Sequence, residues 1–242
     1  MEAKDRIICA LDVDNAYRAL QLVGMLRDHV GVFKVGLELI NTAGVEIIEK
    51  LTDAGAERIF YDAKLHDIPN TVVGAMRGIV RLGVWSVTVH TTGGQAMLRA
   101  AAETARDEAV ACGVERPRVL GVTVLTSIDP EMLKSELQVA MPLAKYVPFL
   151  ATQAYSAGCA GVIASPLEVT AVRQAVSDPN FLIITPGVRP AGSDRGDQAR
   201  VMTPGEAVRC GASYLVIGRP IVSATDPVEA AQRIAAEIAM EQ

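Results

Sequence analysis

Ten residues, Asp62-Ala63-Lys64-Leu65-His66-Asp67-Ile68-Pro69-Asn70-Thr71, carry the densest ionisable chemistry in the sequence. Asp62 and Lys64 are two apart, so on an extended strand both project to one face, with Ala63 and Leu65 on the other. Opposite charges held side by side keep each other ionised. An ammonium fixed in this way can steady negative charge as it develops on a substrate, then give up a proton. Lys34, on the preceding apolar run, can reach the same face and extend the pair into a mixed-charge array. Charge on a strand covered on both faces is costly unless compensated. The array is therefore either a purely structural ion network or a site. His66 and His90 tempt a general-base reading. His66 has the wrong parity relative to Lys64, however, and His90 is better placed to support its neighbours through a hydrogen bond.

The elements that must position these residues follow from periodicity. Short runs rich in Val, Ile and Leu alternate with longer stretches of helical period. Strands are expected over Ile7–Val13, Val32–Leu39, Arg58–Leu65, Ser86–His90, Arg118–Leu125, Gly161–Ala164, Leu182–Thr185 and Tyr214–Ile217. Helices are expected over Ala16–Asp28, Gly44–Ala54, Asn70–Leu82, Gly93–Cys112, Pro142–Ala157, Pro166–Val176 and Thr203–Cys210, with Val228–Met240 closing the chain. Asp14 and Asp226-Pro227 read as N-cap signals, the second with proline at the first helical position. Gly55, Gly83, Gly113, Gly158 and Gly211 each follow a helical pattern, as C-terminal caps do. Runs this apolar point to parallel strands covered on both faces. Eight strand-helix units in 242 residues fit a single (β/α)8 TIM barrel, a fold of typically about 250 residues. No linker rich in Pro, Gly or Ser interrupts the alternation, so residues 1–242 read as one domain. An open doubly wound sheet has the same periodicity, which cannot show closure.

In such a barrel, polar residues at the C-terminal ends of the strands build the site. Those ends carry Asp12, Lys34, Asp62 with Lys64, His90, Thr123 with Thr126 and Ser127, then Arg189 and Arg219. The last two strands run into Pro186-Gly187-Val188-Arg189 and Gly218-Arg219-Pro220-Ile221. The loops after strands 7 and 8 commonly hold a phosphate in this fold. Glycine lets backbone N–H groups approach the oxygens, and arginine offers a planar fork of donors. Between them, Pro190–Arg200 is long, polar and glycine-containing: a lid over substrate, or a mobile loop.

Composition narrows the classes. Half of the residues are hydrophobic and 21% charged, which excludes disordered and collagen-like chains. Lys and Arg number 23 against 28 Asp and Glu, a net charge of −5 that argues against a broad basic nucleic-acid surface. An anion must then be bound by a local cluster. No apolar run approaches the roughly 18 residues that span a bilayer. The charged start, Met1-Glu2-Ala3-Lys4-Asp5-Arg6, has no apolar signal core behind it, so a cytoplasmic protein without membrane contact is expected. Cys9, Cys112, Cys159 and Cys210 form no C-x-x-C pair and read as reduced, mostly buried thiols. None of the three histidines pair at i, i+4, which argues against a His-rich metal site.

The run from Asp62 to Thr71 closely resembles the D-x-K-x-x-D-I-P-x-T signature of the orotidine 5'-phosphate decarboxylase family, in its compact bacterial form. The resemblance extends almost end to end. It includes Ala10-Leu11-Asp12, Lys34-Val35-Gly36, Leu125-Thr126-Ser127, Pro186-Gly187-Val188-Arg189, Asp197-Gln198 and Gly218-Arg219. It implies a homodimeric barrel with no metal or organic cofactor. The implied reaction is loss of CO2 from orotidine 5'-phosphate to give UMP, the last step of de novo pyrimidine biosynthesis. By resemblance, Lys64 donates the proton to C6 of the pyrimidine. Asp62, Lys34 and Asp67 complete the charged array, with Asp67 and Ile68 reaching across the interface into the other subunit's site. Asp12 and Lys34 hold the ribose hydroxyls, and Thr71 contributes from the partner chain. Ser127, beside Thr126, reads the pyrimidine edge, and Pro186 joins the substrate contacts. Gln198 bridges base and phosphate from the lid, while Arg189 or its loop, Gly218 and Arg219 bind phosphate.

Two other enzyme readings and one without chemistry compete. Metal-dependent sugar-phosphate decarboxylases or aldolases of the same superfamily share an acidic-x-Lys-x-x-Asp core but lack the Ile-Pro-x-Thr continuation. A Schiff-base aldolase using Lys64 is disfavoured, because flanking aspartates raise a lysine's pKa. A nucleotide-binding dimer without chemistry would not need the Asp62-Lys64-Asp67 set.

Overall fold

Each apolar run is short and dominated by Val, Ile and Leu, so it can be buried on both faces only inside a layer of helices. The computed structural model, which describes residues 1–189 and 202–241, places those runs in a closed barrel with strand order β1 to β8, every neighbouring pair parallel and β8 returning to β1. The strands are β1 (Ile7–Ala10), β2 (Val32–Val35), β3 (Ile59–Leu65), β4 (Ser86–His90), β5 (Arg118–Val122), β6 (Gly161–Ile163), β7 (Leu182–Thr185) and β8 (Tyr214–Ile217). Around them lie α1 (Ala16–Leu26), α2 (Leu37–Ala43), α3 (Ile47–Asp53), α4 (Pro69–Arg81), α5 (Gly94–Cys112), α6 (Pro130–Ser135) and α7 (Leu143–Ser156). The helical layer is completed by α8 (Val169–Ala175), α9 (Pro204–Arg209), α10 (Arg219–Val222) and α11 (Pro227–Ala239). Closure removes the open doubly wound alternative. No helix among the described residues is long and apolar enough to cross a membrane.

Strand alternation divides the core in two. Ile8 and Ala10 of β1, Val32 of β2, Phe60 of β3, Leu120 of β5, Ile184 of β7 and Val216 of β8 fill the inside of the barrel. Their alternates, such as Ile7, Cys9, Phe33, Val87, Ile183 and Leu215, face outward and pack with the buried faces of the helices. At the N-terminal end of the barrel, Trp85 meets Tyr214 edge to face at 5.1 Å, and the Arg118 guanidinium lies 5.1 Å from the indole centroid. Burial pushes the thiols of Cys9 and Cys159 up to about 12. All four cysteines are free, Cys112 being exposed and Cys210 half-buried.

Several boundaries differ from the periodicity reading. β1, β2 and β5 end at Ala10, Val35 and Val122, three to four residues before Val13, Leu39 and Leu125. Val35, Leu37 and Leu39 alternate like a strand, yet Leu37 and Leu39 belong to α2. There the helical turn leaves Leu37 exposed and Leu39 buried. Asn15, not Asp14, caps α1, its side chain accepting from the Arg18 N–H at 2.8 Å; Asp14 instead accepts from the Asn15 amide. Asp226 caps α11 as read, accepting from the N–H groups of Val228 and Glu229. The same Asp-Pro signal at Asp129-Pro130 starts the unanticipated α6. Gly113 closes α5 in the left-handed region.

Because Trp85 fills the barrel end opposite the charged rim, its removal separates stability from chemistry. Trp85→Ala is expected to lower unfolding free energy by about 3–5 kcal/mol, read by urea denaturation, with binding and turnover per folded molecule unchanged.

Candidate active site

The inward parity that places Ile8, Ala10, Val32 and Phe60 in the barrel continues upward to Asp12, Lys34, Asp62 and Lys64. These four side chains form one alternating chain of charge. Lys34 Nζ lies 2.8 Å from Asp12 Oδ1 and 3.7 Å from Asp62 Oδ2, and Lys64 Nζ lies 2.6 Å from the same Asp62 oxygen. Lys34 and Asp62 are buried, Lys64 is half-buried and Asp12 is on the open side. Gly36 makes part of this possible, since a Cβ there would sit 2.9 Å from Lys34 Nζ.

Simple alternation does not describe β3. Tyr61 pairs with Val87 and Leu65 with Val89, so Asp62, Ala63 and Lys64 together lie opposite Thr88 alone. Lys64 takes up the slack at φ 48, a left-handed conformation that costs a non-glycine residue about 1–3 kcal/mol. Both charged side chains still reach the cavity. The buried Thr88 hydroxyl donates to Asp62 Oδ1 at 2.9 Å and accepts from the Lys64 backbone N–H at 2.8 Å. Burial alone would raise the Asp62 carboxyl. The nearby Lys34 and Lys64 ammonium groups, with hydrogen bonds from Lys64 and Thr88, hold it below its ordinary value.

The charged chain lines a cavity of about 480 Å³ at the C-terminal mouth. Val122, Val124, Leu125, Thr126, Ile163 and Ala164 form one wall, and Pro186, Gly187, Arg189, Gly218 and Arg219 another. Arg189 is buried and bonds the Val188 carbonyl at 3.0 Å, while Arg219 is exposed at the start of α10. Anion donors thus stand on one side of the mouth and the Asp62–Lys64 pair on another.

Other residues from the sequence reading lie elsewhere. Asp67, Ile68 and Thr71 are exposed and do not line this cavity; Asp67 and Ile68 border a second hollow with His66, Pro69, Thr92 and Gly93. Ser127 is exposed beside the wall formed by Thr126. Thr123 faces away from the cavity and donates to the Ile163 carbonyl at 2.8 Å. His90 meets His66 ring to ring, centroids 5.2 Å apart, and its side chain makes no hydrogen bond among the described residues. Burial, His66 and Lys64 hold the His90 imidazole below its usual value, which favours the neutral ring. Gln198 and the segment Pro190–Arg200 lie outside the described residues. Two residues were missed by sequence reading: Glu38, on the cavity wall, and Thr88. Only inward parity on β4 marked Thr88, because threonine is also an ordinary strand former.

Residues 5–234 match the model of the Orotidine 5'-phosphate decarboxylase / HUMPS family. The chain is 54% identical over 240 residues to an orotidine 5'-phosphate decarboxylase of Moorella thermoacetica, covering 99% of this chain and 94% of that protein. It is 47% identical over 239 residues to the protein of the same name from Syntrophomonas wolfei, covering 98% and 99%. Among solved structures, the orotidine 5'-phosphate decarboxylase of Lactobacillus acidophilus superposes with a TM-score of 0.82 at 39% identity, covering 96% of this chain and 98% of that one.

A carboxyl held below its ordinary value stabilises the fold while it is ionised, and that contribution is lost as pH falls through its folded-state pKa. The stability gap between wild type and Asp62→Asn is therefore expected to be largest above the ordinary value of 3.8 and to shrink at lower pH. Urea unfolding across an acid pH series checks this; a gap that widens on acidification contradicts it.

Proposed function

The chain belongs to the Orotidine 5'-phosphate decarboxylase / HUMPS family, and on that premise we propose that it decarboxylates orotidine 5'-phosphate to UMP in pyrimidine biosynthesis. It is a carboxy-lyase whose active site is the cavity at the barrel mouth. The observation that carries the assignment of roles is the Asp12–Lys34–Asp62–Lys64 chain of charge, with Lys64 Nζ 2.6 Å from Asp62 on the cavity wall.

Breaking the bond between C6 and the carboxylate releases CO2 and leaves an electron pair on a ring carbon. The Lys64 ammonium, already fixed by Asp62, stabilises that charge without reorganising and then transfers a proton to C6. A further proton from solvent then restores the Lys64 ammonium. Asp62 keeps Lys64 charged and oriented. Lys34 and Asp12 hold the ribose hydroxyls, Thr126 and Ser127 read the pyrimidine edge, and Pro186 packs on the substrate. Gly218, Arg219 and Arg189 take the phosphate, with Gln198 joining base and phosphate. The phosphate is remote from C6, so its binding energy is available for closing the site and expelling water. No single contact supplies the roughly 8–23 kcal/mol by which enzymes lower barriers.

Asp67, Ile68 and Thr71 complete the site from the partner subunit of a homodimer. Their exposure on one chain, and their place outside its cavity, supports this reading. A two-fold dimer places the same loop of each subunit against the other's site.

Loss of orotidine 5'-phosphate absorbance on adding purified protein, with EDTA present throughout, tests the activity. Conversion to UMP is the expected result. Folded protein without conversion would point to the metal-dependent sugar-phosphate relatives. Lys64→Ala is expected to abolish turnover while still binding UMP, measured by calorimetry. Mixing Lys64→Ala with Asp67→Ala subunits should restore about a quarter of wild-type activity, because half of randomly assorted dimers carry one intact site. A verified heterodimer without activity would refute the shared site.

A further inference from the structure

The slip in β3 leaves a specific problem for the backbone. Between the Tyr61–Val87 and Leu65–Val89 pairs, three residues of β3 face one residue of β4. The ladder cannot serve all three, and the residue displaced furthest from strand geometry is Lys64, at φ 48. Its N–H is taken up not by a β4 carbonyl but by Thr88 Oγ1, at 2.8 Å. The same oxygen spends its own proton on Asp62 Oδ1, at 2.9 Å. Thr88 is fully buried, and its bond to Asp62 is buried with it. Asp62 thereby has one oxygen held by Thr88 and the other facing Lys64 and Lys34.

We infer that Thr88 is a positioning residue for the Asp62–Lys64 pair, its hydroxyl fixing both the plane of the carboxylate and the backbone turn that aims the ammonium into the cavity. The inference rests on the reading above for what the pair does, but not for how it is held. Valine has the same shape as threonine and neither donates nor accepts. In Thr88→Val the Lys64 N–H loses its acceptor and the buried Asp62 Oδ1 loses its donor. The carboxylate is then free to rotate, and the left-handed turn has lost its anchor. Substrate contacts made by Asp12, Arg189 and Arg219 are untouched, so the loss falls on the chemical step.

The test compares Thr88→Val and Thr88→Ser with wild type in two measurements. In steady-state decarboxylation, Thr88→Val is expected to lower kcat by about tenfold to a hundredfold with KM within about threefold, and Thr88→Ser to recover most of kcat. In amide hydrogen exchange, the Lys64 N–H is expected to be protected in wild type and Thr88→Ser, and to lose protection in Thr88→Val. An unchanged kcat in active Thr88→Val, a serine variant as impaired as valine, or unchanged Lys64 protection in Thr88→Val overturns the inference. The exchange measurement needs no turnover. If wild type fails to convert orotidine 5'-phosphate while Lys64 protection follows the hydroxyl, the assigned reaction falls and the positioning role stands. Should Thr88→Val not fold, Thr88→Ala removes the same two bonds and is judged by the same outcomes.

Discussion

The whole upper half of the barrel is organised around one buried carboxylate. Asp62 sits where an unpaired charge would be very costly, with Lys34 on one side, Lys64 on the other and the Thr88 hydroxyl behind it. Pairing makes the burial tolerable, but it does so only if each partner arrives at a fixed place. That requirement reaches into the backbone. It accounts for the glycine that leaves room for Lys34, the slip between β3 and β4, and the left-handed turn at Lys64. Strain at one residue is tolerated because the surrounding strands determine its position several times over.

Below this rim the barrel is conventional in its physics. Apolar residues at alternate positions fill the inside, their neighbours meet the helices, and closure leaves the sheet without an edge. The inward-facing charges of Lys34 and Asp62 begin one inward position above Val32 and Phe60. The same parity thus places a core residue at Phe60 and a buried carboxylate at Asp62, and the boundary between scaffold and cavity rim is a single inward step. Anion donors stand across the mouth at Arg189 and Arg219.

Much of this was legible in the residues. The alternation of apolar runs and helical stretches specifies parallel strands, and inward parity relates Asp12, Lys34, Asp62 and Lys64 before any coordinates are known. Closure was not legible, because periodicity carries no information on which strands meet. The ends of β1, β2 and β5 were overextended for a related reason: Leu37 and Leu39 alternate in sequence as a strand would, and only packing shows that they turn as a helix. The slip in β3 depends on its register with β4, which no local pattern encodes. Thr88 was hidden because its hydroxyl matters only once that register is known. Asp67, Ile68 and Thr71 entered by resemblance alone, and on one chain they are exposed outside the cavity.

The packed end of the barrel has its own effect on traffic. Trp85 and Tyr214, with Arg118 over the indole, fill the end away from the charged rim, so the interior is a stoppered cup and not a conduit. Whatever enters must leave by the mouth through which it came. For a reaction that makes a small gas and a bulky nucleotide, arrival and departure share one doorway. The order in which the two products escape is therefore set at the rim and not by a route through the fold.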